Sequence, residues 1–269
     1  MKRKIFVSLL IMSFISLFSE CAFAFKVNID QPKILLEIAP GEKKSSYINV
    51  DSYDSKDSMV VDVYTQDIMY LPDGSNDFLP PGTTPWSCAD WIKLNPTGFE
   101  LKPNNERVVK FEVKVPPDAK GGKYAVIFFE VSPPRDIKDL NAPVSSVRLG
   151  SIILVTIKGT EVYEAELRGL IANKDEEKSE VNVSCVIYNG GNILTRPKGE
   201  IILMDTAGKE LDKKDLNPIN GGVLPNTNRT FTVKWSLDIF EEKKDYIFQA
   251  TIDYGGEVLL GGQTYFVRD

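Results

Sequence analysis

The chain has 269 residues, with 38 acidic side chains against 32 Lys and Arg, a formal net charge of −6 and no histidine. The missing histidine excludes Ser-His-Asp and Cys-His catalysis and histidine-ligated zinc or copper, and removes the usual general base near neutral pH. The acidic balance argues against nucleic acid or an anionic membrane surface as a partner.

The N-terminus reads as a secretory signal peptide over residues 1–24. Lys2, Arg3 and Lys4 form a positive cap, Ile5 to Phe18 is almost wholly apolar, and Ala22-Phe23-Ala24 is a small-x-small cleavage site. The apolar core falls short of the ~20 residues a spanning helix needs. A lipoprotein reading would acylate Cys21, but Glu20 is charged where that processing wants a small residue. Removing the 24 residues, with their three basic groups and Glu20, leaves 245 residues and a net charge of −8. That length suits two domains. The expected product is periplasmic or secreted to the surface of a bacterial envelope, with no membrane span in the mature protein.

The rest reads as strands. Ile34 to Ile38 ends at the turn Pro40-Gly41, and Tyr47 to Val50 and Val60 to Tyr64 follow. Phe99-Glu100-Leu101 leads into Pro103-Asn104-Asn105, and Val108 to Val115 alternates apolar and charged residues. Tyr124 to Val131 is apolar on both faces at its centre, as in a central strand, and Val147 to Ile157 is a further strand with few charges. Short strands at this spacing indicate a β-sandwich. After an interruption at Lys158 to Val162, about seven more strands run from Tyr163 to Val267, enough for a second sandwich. The expected fold is all-β: two tandem immunoglobulin-like sandwiches over residues 25–160 and 161–269.

Two Pro-rich loops interrupt the first domain, Leu71 to Ser87 and Ser132 to Ser146, and long loops at sandwich ends often carry binding surfaces. Cys88 and Cys185 remain after cleavage, about a hundred residues apart. Cys185 shares an alternating face with Val181, Val183 and Ile187 and reads as a buried thiol. An interdomain disulfide stays open, because spacing alone does not decide pairing. Asp51, Asp54 and Asp57 superficially suggest a calcium loop, but the Gly and closing Glu of a helix-loop-helix site are absent, and a solvated acidic turn fits better. No metal site and no cofactor are expected.

The run from Trp91 to Pro103, with Pro96, Phe99, Leu101 and Pro103 in place, resembles the first domain of periplasmic pilus-assembly chaperones. The resemblance continues through Pro116-Pro117 and from Lys123 to Pro133. The same stretches, with Pro40-Gly41 and Gly121-Gly122-Lys123-Tyr124, also look like the peptidoglycan-binding domain of WxL-interacting surface proteins. The chaperone resemblance implies an edge strand that captures subunits, anchored by an Arg and a Lys that bind the subunit's terminal carboxylate. In this sequence those two positions fall at or near Leu36 and Leu154. Lys33 lies three residues from the first, and Arg148 is the only cation on the second strand before Lys158.

The expected function is a non-enzymatic, chaperone-like or adaptor-like binding protein that holds an envelope or surface protein. It would use an edge strand such as Val147 to Ile157 by β-augmentation, with Arg148, Ile152 and Leu154 as candidate contacts. The alternative is a cell-wall or carbohydrate-binding module in which Tyr70 and Trp86, beside the first Pro-rich loop, stack on sugars.

Overall fold

A computed structural model describes residues 26–53, 55, 57–134 and 146–268. The signal peptide, Cys21, Asp54 and most of the second Pro-rich loop lie outside the described residues.

The N-terminal half forms two sheets. One is ordered β1 (Val27–Ile29), β3 (Lys43–Ser52), β8 (Glu106–Lys114), β6 (Ile92–Asn95). The other is ordered β2 (Lys33–Ile38), β10 (Val147–Ile157), β9 (Gly122–Ser132), β4 (Met59–Tyr70), β5 (Asn76–Leu79), with β7 (Gly98–Leu101) pairing the start of β4. From Ala165 onward there are two more: β11 (Ala165–Asp175), β12 (Glu180–Asn189), β15 (Thr227–Ser236), and β14 (Glu210–Asp215), β13 (Lys198–Asp205), β16 (Asp245–Asp253), β17 (Leu260–Val267). The only helical pieces among the described residues are 3-10 turns at Ala89–Trp91 and Leu237–Ile239.

Period-two alternation builds both sandwiches, because successive side chains of a strand point to opposite faces. In β12, Val181, Val183, Cys185 and Ile187 are fully buried while the residues between them are only partly so. They meet Ile201, Leu203, Phe248 and Ile252 of the opposing sheet, with Trp235 and Phe240 filling the end of the core. In the first half, Ile48, Val50, Val109 and Phe111 face Val61, Ile127, Phe129, Ile153 and Val155. The fold is all-β, two immunoglobulin-like sandwiches, as the strand pattern predicts.

β9 departs from alternation: Tyr124 through Phe129 are all buried. Ala125, Ile127 and Phe129 face the first core. Tyr124, Val126 and Phe128 face outward into a third cluster with Ile68, Trp86, Leu154 and Leu224. Leu224 comes from the C-terminal half, so this cluster joins the two halves. Polar contacts reinforce it. The Gly122 N–H donates to the Asn192 carbonyl at 2.8 Å, the Leu194 N–H donates to the Tyr124 hydroxyl, and the Thr230 N–H donates to the Pro72 carbonyl at 2.9 Å. Burial pushes the Tyr124 phenol far up, so it stays a neutral acceptor for Leu194.

Cys88 and Cys185 are both free and buried, one in each sandwich core, so the interdomain disulfide left open by the sequence is not formed. Burial pushes the Cys185 thiol up to about 12, and burial with the nearby Asp67 carboxylate pushes Cys88 up as well. An acid whose folded pKa is raised adds stability that is intact below its unfolded value and is lost as pH climbs toward the folded value. Stability should therefore fall as pH rises from about 9 toward 12. The check is urea unfolding at several alkaline pH values, where Cys185→Ala should flatten the decline relative to the wild type. An unchanged slope would refute the assignment.

Candidate functional site: a half-open strand edge

The chain's first two strands create the feature. β1 pairs with β3 in one sheet; the chain then turns at Asp30-Gln31-Pro32, and β2 joins the other sheet. β2 runs parallel to β10, but only from Lys33↔Ile152 to Ile38↔Ile157. β10 pairs with β9 along Val147 to Thr156. Among the described residues, the five from Val147 to Ser151 are thus paired on one side and have no strand on the other.

Two contacts fix where β2 begins. The Ile152 N–H donates to the Pro32 carbonyl at 2.9 Å, and the Ser151 hydroxyl donates to the Gln31 carbonyl at 2.6 Å. Pro32 has no N–H to extend the ladder. Because strand groups alternate sides, the N–H and C=O of Gly150 and Arg148 point the same way as those of Ile152, toward the vacant side. Val147 and Arg148 are exposed, Leu149 packs partly against the first core, and Ser151 is buried.

The outer face beside this edge is aromatic. The Arg148 guanidinium lies 4.4 Å from the Phe128 ring centroid and 5.8 Å from that of Phe78. Phe78 meets Phe128 edge-on at 4.9 Å, and the Tyr64 hydroxyl donates to Glu130 at 3.0 Å. Burial raises the Tyr64 pKa, and the Glu130 carboxylate adds to the rise. Cation–π contacts of this kind draw a guanidinium onto the face of a ring.

The structure gathers the sequence candidates differently from the expectation. Leu154 lies in the doubly paired part of β10 and is 6% exposed within the joining cluster; Ile152 packs against the same cluster. Trp86 is 8% exposed and belongs there too, with its indole N–H donated to the Ile68 carbonyl at 3.1 Å, so its ring offers no face to a sugar. Tyr70 packs partly against the cluster, and its phenol is raised by burial. Four of the five candidates therefore meet at the junction of the two halves, and only Arg148 borders the open edge. The positions matched to the chaperones' Arg and Lys are also inside: Leu36 faces the first core, and Leu154 is the register partner of Leu35.

The first Pro-rich loop is likewise held in place rather than free. Asp67, fully buried in β4, accepts from the N–H of Thr84 at 2.7 Å and of Gly82 at 3.3 Å, and from the hydroxyls of Thr84 and Ser87. Trp86 and Cys88 then pair with the backbone of Tyr124. Sequence reasoning missed Asp67; the signal was an acidic residue inside the otherwise uncharged run Val63 to Tyr70.

Among the described residues no cluster of three or more His, Cys, Asp or Glu is arranged to hold a metal, and no helix is long and apolar enough to cross a membrane. The chain matches no family model and no curated protein. Solved structures do match. A chain of the chaperone–tip adhesin complex of CFA/I fimbriae biogenesis is 14% identical with a TM-score of 0.48, covering 90% of this chain and 99% of that one. The class 5 fimbriae chaperone CfaA is 13% identical at 0.45, covering 90% and 100%. The E. coli chaperone DraB is 14% identical at 0.42, covering 91% and 97%. The chain resembles periplasmic pilus-assembly chaperones.

Proposed function

We propose that this is a non-enzymatic, exported binding protein that holds a partner protein of the envelope or cell surface by taking one of its strands onto Val147–Ser151. The observation that carries the reading is the half-paired edge of β10. It has a ready ladder of backbone groups at Arg148 and Gly150 and a vacant place in line with β2. Edges of this kind are usually shortened, charged or covered. Here the exposed side carries one charge, Arg148, and that guanidinium is folded over Phe128. A strand added there would gain main-chain hydrogen bonds irrespective of sequence, with alternate side chains giving selectivity.

Arg148→Pro tests this directly. The Arg148 N–H points away from β9, so proline removes no bond of the native sheet, yet it blocks the incoming ladder. Arg148→Ala keeps the ladder. Partners cross-linked in envelope preparations should be retained by Arg148→Ala and lost by Arg148→Pro, with unfolding midpoints of both variants near wild type. An identical set of partners for wild type and Arg148→Pro would overturn the reading.

A further inference from the structure

A second strand edge, in the C-terminal sandwich, opens into a cleft of mixed lining. β15 is the end strand of its sheet, and its neighbour across the sandwich, β14, is the end strand of the other. Between β15 and the segment that follows β14 lies a cleft of about 660 Å³, lined by Pro72 and Asp73, by Leu216 to Ile219, and by Arg229 to Thr232.

The edge is covered at both ends and bare between. The Thr230 N–H donates to the Pro72 carbonyl, away from β12, and the Lys234 carbonyl accepts the Lys214 ammonium at 2.7 Å. By alternation the N–H and C=O of Thr232 point the same way, and among the described residues β15 has no second strand to receive them.

Arg229 supplies the charge. It is 8% exposed, and of its five N–H donors one hydrogen bond is made, from Nη1 to the Gly222 carbonyl at 2.9 Å. Its guanidinium fills a slot between Gly74 and Gly221, where an added Cβ would lie 2.1 and 2.6 Å from Nη2. Gly74 also has φ +87°, so two reasons favour glycine there. Arg229 itself lines the cleft. Asp73 is the nearby acid and attracts Arg229 electrostatically, while its Oδ1 accepts the backbone N–H and hydroxyl of Ser75 at 2.9 and 2.7 Å. Ile219, 79% exposed, overhangs the cleft as an apolar contact.

We infer that this cleft binds an extended peptide bearing a carboxylate, its backbone paired with Thr232 and its acid group on Arg229. This site is separate from β10. A fluorescein-labelled, end-capped peptide of alternating valine and threonine with one central glutamate serves as the probe, read by anisotropy with the full mature protein. Saturable binding is expected, weakened about tenfold when the glutamate becomes glutamine, the scale of one charge-assisted hydrogen bond. Thr232→Pro should abolish it. Should that variant fail to fold, surface charge decides instead: Ile219→Lys should tighten binding and Ile219→Asp loosen it, each about threefold. Arg148→Pro should leave the affinity unchanged. The inference is overturned by no binding at about 1 mM protein, by equal affinity for the glutamate and glutamine peptides, or by Ile219 variants that bind alike.

Discussion

Asp67→Ala is expected to lower stability by about 2 to 4 kcal/mol. The carboxylate is fully buried, and its four partners are two backbone N–H groups and two hydroxyls. Alanine removes the acceptor and leaves the buried backbone donor of Thr84 without a partner, whereas the exposed Gly82 N–H keeps the Ser87 hydroxyl at 3.3 Å. Each buried donor stranded in this way costs about 1 to 3 kcal/mol. The loss should be concentrated in residues 80–88. Cys88 sits at the end of that segment with its N–H on the Tyr124 carbonyl, so its thiol becomes a local reporter. In native buffer the variant should label Cys88 with a thiol reagent faster than wild type, while Cys185 in the other core stays protected. Equal labelling of both thiols would point to global unfolding rather than a released loop. An unchanged urea midpoint would remove Asp67 from the argument altogether.

Leu224→Asp should have an effect of comparable size and different form. Leu224 is 1% exposed and is the C-terminal half's fully buried member of the joining cluster. Truncating a buried leucine costs about 2 to 5 kcal/mol, and an unpaired carboxylate there adds a desolvation cost. Each sandwich keeps its own core, so the contact between halves is what gives way. Calorimetry should then resolve two transitions where the wild type gives one. A single transition, merely shifted down, would mean that the two cores depend on each other by another route.

Strand identity was legible in the sequence because it is a local property. β12 and β8 announce themselves by alternation, and β9 by an apolar run that fails to alternate. What covers β9 was not legible. Trp86, Leu154 and Leu224 come from three distant stretches, and nothing local says that they meet. The same holds for Arg229, Gly74 and Gly221. The Pro-rich composition of Leu71 to Ser87 suggests a loop open to ligands. Composition marks where regular pairing stops, and a single buried acid decides whether the segment is then tied down. For β10, sequence marked a strand with few charges but not its register with β2. That register leaves half the strand open, and it is set by where Pro32 falls.

Pro32 has a further consequence. A strand taken up beside Val147–Ser151 lies in line with β2, and its advance ends where the Pro32 and Gln31 carbonyls already hold Ile152 and Ser151. On the proposed mode of binding the fold would work as a gauge. Segments of up to about five extended residues, roughly 17 Å, seat without disturbing the host. A longer one must either stop pairing or peel β2 away, surrendering Ile34, Leu36 and Ile38 from the first core.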